Sequence, residues 1–186
     1  MPHQPLLAGL DLPPVATTLP PVADMRTWPD VSAEAVCRHA KQLGAAGEAL
    51  FDSQMLCFGE LAVAVGEFFA YDRLLIRAGV PVRVQVKTAI LPSSRGYTVE
   101  PRKGYRGSPR GLRRYEDDEF DLLAIVILRE GVIFHTAANA RQHHVPLSAI
   151  VHLRRDPRSS FDIALADLDA RTRLARPALA SSTCQP

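Results

Sequence analysis

Between Val82 and Ala89 the chain alternates: Val82, Val84 and Val86 are apolar, while Arg83, Gln85 and Lys87 are polar. Period-two alternation marks a half-buried strand, so Gln85 and Lys87 share one face. A second β-prone run, Tyr71–Ile76, lies just upstream, and Ala78-Gly79 between the two reads as a two-residue hairpin turn. That turn pairs Arg77 with Val80 and sets Asp72 opposite Gln85, with Cβ atoms roughly 5 Å apart. A carboxylate, an amide oxygen and an ammonium then converge on one patch of sheet. The chemistry open to such a patch is that of charge: oxygens that can face a cation, and a compact ammonium that can face an anion. Lys41, Lys87 and Lys103 are the only lysines among 22 basic residues. A lysine kept in so arginine-biased a chain points to chemistry that asks for one.

The elements that must position this patch follow from periodicity. Ser32 reads as an N-cap, with Glu34 in the first turn where the helix dipole favours an acid. Val36, Ala40, Leu43, Ala46, Leu50, Phe51 and Met55 then recur at mostly three- and four-residue spacing. They predict one long amphipathic helix ending near Gly59. Gly44 and Gly47 inside it each cost up to about 1 kcal/mol relative to alanine, which predicts a close approach to another backbone or a break. Leu61–Val65 reads as a further strand. From Pro92 to Arg114 the chain is rich in glycine, proline and arginine, with no acid after Glu100. Glu116 to Asp121 reverses the charge, and Glu116–Glu119 is expected to form a solvated acidic turn. Leu122–Leu128 and Val132–Ala137 read as apolar strands joined at Glu130-Gly131. Leu147–Leu153 suits a strand or a short helix, and Phe161–Ala175 a helix capped by Ser160.

Composition bounds the class. At 186 residues, 47% hydrophobic and 23% charged, the chain has the makings of a globular protein with one substantial core or two very small ones. No apolar run approaches the roughly 20 residues of a transmembrane helix, which excludes a membrane partner of that kind. A basic segment followed by an apolar stretch is missing from the start, which argues against a secretory signal. Cys37, Cys57 and Cys184 form an odd set without CxxC spacing, against a disulfide framework or structural zinc. A reducing cytoplasm is therefore expected. Residues 1–31 hold seven of the fifteen prolines and a net charge of −2, hence a flexible proline-rich arm. Residues 32–176 form the expected folded domain and 177–186 a frayed tail.

The order of these elements resembles the PD-(D/E)xK nuclease superfamily. It is closest to the glutamine-variant group built like the homing endonuclease of a cyanobacterial group I intron. The matching residues are Gly44-Ala45-Ala46-Gly47-Glu48 on the helix, Tyr71-Asp72 on the hairpin and Val84-Gln85-Val86-Lys87-Thr88 on the strand. A downstream block runs from Tyr115 through Phe120-Asp121 into Leu122–Val126. The resemblance spans about residues 40–150 of the chain. It implies an α/β (α+β) restriction-endonuclease-like core, with a central mixed sheet flanked by helices.

The resemblance further implies a Mg²⁺-dependent DNA endonuclease, with Mn²⁺ as a substitute ion. Its catalytic set is Glu48, Asp72, Gln85 and Lys87, and its metal ligands are Glu48, Asp72 and the Val86 carbonyl. Gln85 stands where most of the superfamily has an acid, so one negative charge fewer faces the ion. Glu60 and Glu67 are the reserves for Glu48. Arg102, Lys103, Arg106, Arg110, Arg113 and Arg114 are the expected phosphate contacts, the alternative being a disordered loop in an arginine-biased protein. Related nucleases often pair subunits to cut two strands, which keeps a homo-oligomer among the expected partners. Two other functions stand beside this one: a nuclease-derived module that binds DNA or protein without cutting, and a branched-DNA resolvase. His143-His144 is set aside as a metal pair because neighbours on a strand point to opposite faces. His39, His135 and His152 lack partners at ligand spacing, and Asp121 is assigned a structural role.

Overall fold

The computed structural model describes residues 25–77, 80–104, 107, 109 and 111–175. The expected Ala78-Gly79 turn, the arm up to residue 24 and the tail from residue 176 lie outside these. The chain divides into two compact units, Met1–Arg38 and His39–Pro186. In the first, a 3-10 turn (Met25–Thr27) precedes helix α1 (Ala33–Arg38). Ser32 caps it as expected, its Oγ accepting the Ala35 N–H at 3.2 Å, and Glu34 pairs with Arg38 one turn on.

One long helix from Ser32 was expected, and the structure corrects this. Helix α1 stops at Arg38, and α2 begins anew at Ala40 and runs to Cys57. The interruption falls at His39, whose φ of −103° and ψ of 18° leave the helical region, and its carbonyl accepts from Leu43 N at 2.9 Å. Gly47 has a close approach, though to a side chain rather than to the backbone anticipated. A Cβ there would sit 2.0 Å from Thr88 Oγ1, whereas one on Gly44 would meet nothing within 4 Å.

The second unit holds a five-stranded mixed sheet made of β1 (Leu61–Ala64), β2 (Arg73–Ile76), β3 (Val82–Ala89), β5 (Leu122–Ile127) and β6 (Val132–Thr136), in that spatial order. All neighbours are antiparallel except β3 and β5, which run parallel with Gln85 beside Leu123 and Lys87 beside Ile125. Strand β5 is buried along its whole length, as suits the middle of a sheet covered on both sides. Its residues divide by parity. Leu122, Ala124 and Val126 join Phe51 and Met55 of α2 and Phe161 and Leu165 of α4 (Ser159–Ala175) in one core, which also takes Val82, Val84 and Val86. Leu123, Ile125 and Ile127 enter a second core on the opposite face.

That second face is covered by elements the sequence hid. Within the stretch rich in glycine, proline and arginine, Gly96–Val99 forms β4, which pairs antiparallel with β7 (His143–Pro146). Tyr97, Val99 and Val145 of this small sheet pack with Ile150 and Leu153 of α3 (Leu147–Arg155), so the ambiguous Leu147–Leu153 segment is helical. Gly96 is required where it stands: its φ is +142°, and a Cβ would lie 2.3 Å from the Val145 carbonyl oxygen. The expected architecture, a central mixed sheet flanked by helices, is the one the chain forms. Among the described residues no helix is long and apolar enough to cross a membrane.

Candidate active site

The β2–β3 ladder pairs Leu75 with Val82 and Arg73 with Val84, the register expected from the hairpin. Past its last pair, Asp72 takes over the role of a strand neighbour. Its N–H donates to the Val84 carbonyl at 2.9 Å, and its Oδ2 accepts the Val86 N–H at 2.8 Å. The buried Gln85 side chain donates from Nε2 to the same Oδ2, and to the Val86 carbonyl at 3.1 Å. Burial pushes the Asp72 carboxyl above its ordinary range; the Val86 N–H and Lys87 oppose this, while Glu48 adds to it.

Lys87 stands on the same face as Gln85. Its Nζ donates to the Tyr115 hydroxyl at 3.1 Å and lies 5.2 Å from that ring's centroid. Burial lowers the Lys87 pKa, against the pull of Asp72 and Glu48. The Tyr115 hydroxyl is driven the other way, first by burial and then by Asp72 and Glu119. Its ring is fixed edge-on to Phe120 at 5.2 Å. Strand, crossover and ring together hold the ammonium in a narrow range of positions.

Glu48 approaches Asp72 from the helix side. Helix α2 covers the valine face of β3, the face opposite Gln85 and Lys87. There Arg73 is buried beneath it, gripping Asp52 through two bonds of 2.7 and 2.9 Å and Glu48 through one of 3.0 Å. The same guanidinium donates to the Asp72 carbonyl at 2.9 Å. A cleft of about 290 Å³ contains Glu48, Asp72, Glu67 and Arg73. A neighbouring cleft of about 480 Å³ contains Asp72, Gln85, Lys87, Tyr115 and again Glu67. The four expected residues thus border two adjoining clefts that share Glu67, Phe69 and Asp72, and the Glu48 charge acts on both Asp72 and Lys87. Of the two reserves, Glu67 borders both clefts, whereas Glu60 faces Arg77 and Arg158 at 3.5 and 3.6 Å.

The larger cleft is walled by the crossover between β3 and β5. Arg102, Lys103 and Arg113 line it, Lys103 and Arg113 joined by a reciprocal backbone bridge of 2.9 and 3.0 Å. Arg114 is exposed nearby in sequence, and Arg106 and Arg110 lie outside the described residues. The cationic run is less uniform in space than in sequence, because Arg102 pairs with Glu100 and Lys103 with Glu119. Glu119 is thus no part of a purely solvated turn. Asp121 has the structural role assigned to it, with Oδ2 accepting Arg83 N at 2.8 Å and a two-point grip on the Arg83 guanidinium. His143 is buried and His144 exposed on β7, as opposite strand faces require.

Arg73, Asp52 and Glu119 were not singled out from sequence. The strand alternation holds a signal for Arg73, since the neighbour of Asp72 must face the helix. Among the described residues no three His, Cys, Asp or Glu side chains gather to hold a metal ion. The oxygens that gather there are those of the Asp72 carboxylate and the Val86 carbonyl, bridged by Gln85 Nε2. These are hard donors, and a half-buried carboxylate held above its ordinary pKa is an environment that a hard cation would relieve. The set fits Mg²⁺ retaining several waters.

No family model and no curated protein matches the chain. Among solved structures it is similar to a bacterial homing endonuclease, I-Ssp6803I, at 18% identity and a TM-score of 0.49, over 56% of this chain and 76% of that one.

Proposed function

We propose that the chain is a Mg²⁺-dependent DNA endonuclease that hydrolyses phosphodiester bonds where Asp72, Gln85 and Lys87 meet. The observation that supports this best is Lys87, an ammonium held by Tyr115 inside a cleft that also presents the half-buried Asp72 carboxylate and the basic side chains Arg102, Lys103 and Arg113. Asp72, the Val86 carbonyl and the Gln85 amide oxygen would hold the ion, with Glu48 or Glu67 reaching in from the adjoining cleft. A bound Mg²⁺ supplies Lewis acidity toward the phosphate and lowers the pKa of water. Lys87 orients the attacking water and offsets negative charge as it grows in the transition state. Arg102, Lys103 and Arg113 steer the polyanion toward that point. The test is purified protein on supercoiled, linear and branched DNA with Mg²⁺, Mn²⁺ or EDTA. Cleavage should require the cation, and Lys87→Ala should lower its rate by about 10²–10³. A variant cutting as fast as wild type would remove Lys87 from the chemistry.

A second reading, a module that binds without cutting, is favoured by the Gln85 amide. Its N–H groups already satisfy Asp72 Oδ2 and the Val86 carbonyl, so the site is hydrogen-bonded without an ion. Under that reading DNA affinity is equal in Mg²⁺ and EDTA, and no substrate is cut. Gln85→Glu separates the two by calorimetry, because it restores an acid and should tighten Mg²⁺ binding only where Asp72 is a ligand. The resolvase reading is reached by the same assay, through preference for the branched substrate.

A further inference from the structure

The loop between β1 and β2 carries two phenylalanines that the hydrolytic machinery does not use. Its ends are tied by Val65 N–H donating to the Asp72 carbonyl at 3.2 Å, and a turn within it is closed by Phe69 N–H on Gly66 O at 3.1 Å. Phe68 at its tip is fully exposed, and Phe69 is 57% exposed while its ring leans on Tyr71 at 5.4 Å. Both line the same cleft as Lys87, Arg102, Lys103 and Arg113. An apolar docking patch for a protein would continue into further apolar surface, but here the rest of the lining is dominated by charged and polar side chains. Exposed aromatic faces beside a cationic track are what single-stranded nucleic acid requires: the cations follow the backbone and each ring accepts a base.

We propose that Phe68, supported by Phe69, is a base-stacking platform, and that the substrate is DNA presenting an unpaired nucleobase beside the scissile phosphate. This rests on the DNA-cleaving reading above and narrows its substrate class. The face of a base within intact duplex is covered by its stacked neighbours, so a ring meets it only where the strand is single, branched or unstacked by the ring itself. Because the loop is tied to Asp72, a base on Phe68 belongs to a nucleotide close to the phosphate facing Lys87.

The experiment uses the full chain in EDTA, so that no strand is cut, with a fully paired duplex and the same duplex carrying an unpaired 2-aminopurine. Wild type should bind the unpaired form about tenfold or more tightly and shift its fluorescence. Phe68→Ala should abolish both the preference and the shift while leaving duplex affinity unchanged, and Phe68→Trp should restore them. Equal wild-type affinity for the two DNAs, or an unaltered Phe68→Ala variant, would overturn the platform while leaving the endonuclease proposal intact. Wild type that binds neither DNA removes both proposals together. A dimer that dissolves on Phe68→Ala, with DNA affinity untouched, would identify the rings as a self-association surface and also overturn the platform.

Discussion

The ammonium of Lys87 lies 3.1 Å from the hydroxyl of Tyr115, a residue that arrives from the far side of a long crossover. Strand β3 supplies the charge and the crossover supplies its anchor. Tyr115→Phe keeps the ring and its edge contact with Phe120 but removes the acceptor. Under the proposed function it should lower kcat about tenfold with little change in KM, the scale of one hydrogen bond to a charged group. The alkaline limb of the pH profile should also move to lower pH, since the charged form of Lys87 loses a stabilising partner. A purely structural role for Tyr115 would leave that limb in place.

Arg73 is the charge on which the α2 side of the site depends. It is 7% exposed and serves Asp52, Glu48 and the Asp72 carbonyl at once. Arg73→Met should destabilise the fold by about 2–3 kcal/mol in urea titration, because two partly exposed carboxylates are left facing each other. Arg73→Lys should recover only part, as an ammonium does not reproduce the planar fork. A shift under 0.5 kcal/mol for Arg73→Met would mean that the ion network contributes nothing net.

The two glycines of α2 should respond with opposite signs. Gly44→Ala enters open space and gains helix propensity, so stability should rise by up to about 1 kcal/mol. Gly47→Ala drives a methyl into Thr88 and should cost about 1–3 kcal/mol. Thr88→Ala in the Gly47→Ala background should restore part of that loss. Thermal unfolding of the three variants decides the matter.

Much of the sheet could be read from the chain, because β3 alternates cleanly and its hairpin leaves one register. The site was legible to the same depth: Asp72, Gln85 and Lys87 follow from that register alone. Glu48 was placed by motif rather than geometry, and motif does not reveal that α2 covers the opposite face. The break at His39 was hidden because apolar spacing continues through Val36, Ala40 and Leu43. Arg73 was masked inside an apolar run, since its partner Asp52 lies on a different element. The Lys103–Glu119 pair was illegible for a related reason: the basic run and the acidic run look like separate solvated segments until the Lys103–Arg113 bridge folds one onto the other.

His135 gives the fold an acid sensitivity. Its ring lies between Phe51 and Phe161, at 6.1 and 5.2 Å, with Nδ1 3.1 Å from Ser160 Oγ and no partner on Nε2. Burial pushes its pKa down to about 3. The folded chain therefore keeps this ring neutral while the unfolded chain protonates it below about 6.5. Stability is fully present above that value and falls by about 1.4 kcal/mol per pH unit as pH drops from 6.5 toward 3. His135→Leu should flatten that part of the curve when urea midpoints are compared from pH 7 to pH 4. A parallel decline in both proteins would assign the acid sensitivity to other groups.

The parallel seam between β3 and β5 also orders events in time. Strands β1 to β3 and the β5–β6 hairpin each form across short connections, but joining them requires residues 90–121 to close first. The entropy of that closure must be met before the seam returns any pairing energy. Tyr115, Lys103 and Glu119 all travel on this segment, and the outer wall of the cleft is tied by a single backbone bridge where the sheet behind it is tied by full ladders. Amide exchange at the Lys103–Arg113 bridge should therefore outpace exchange along β3 and β5, with the cleft opening while the sheet behind it stays whole.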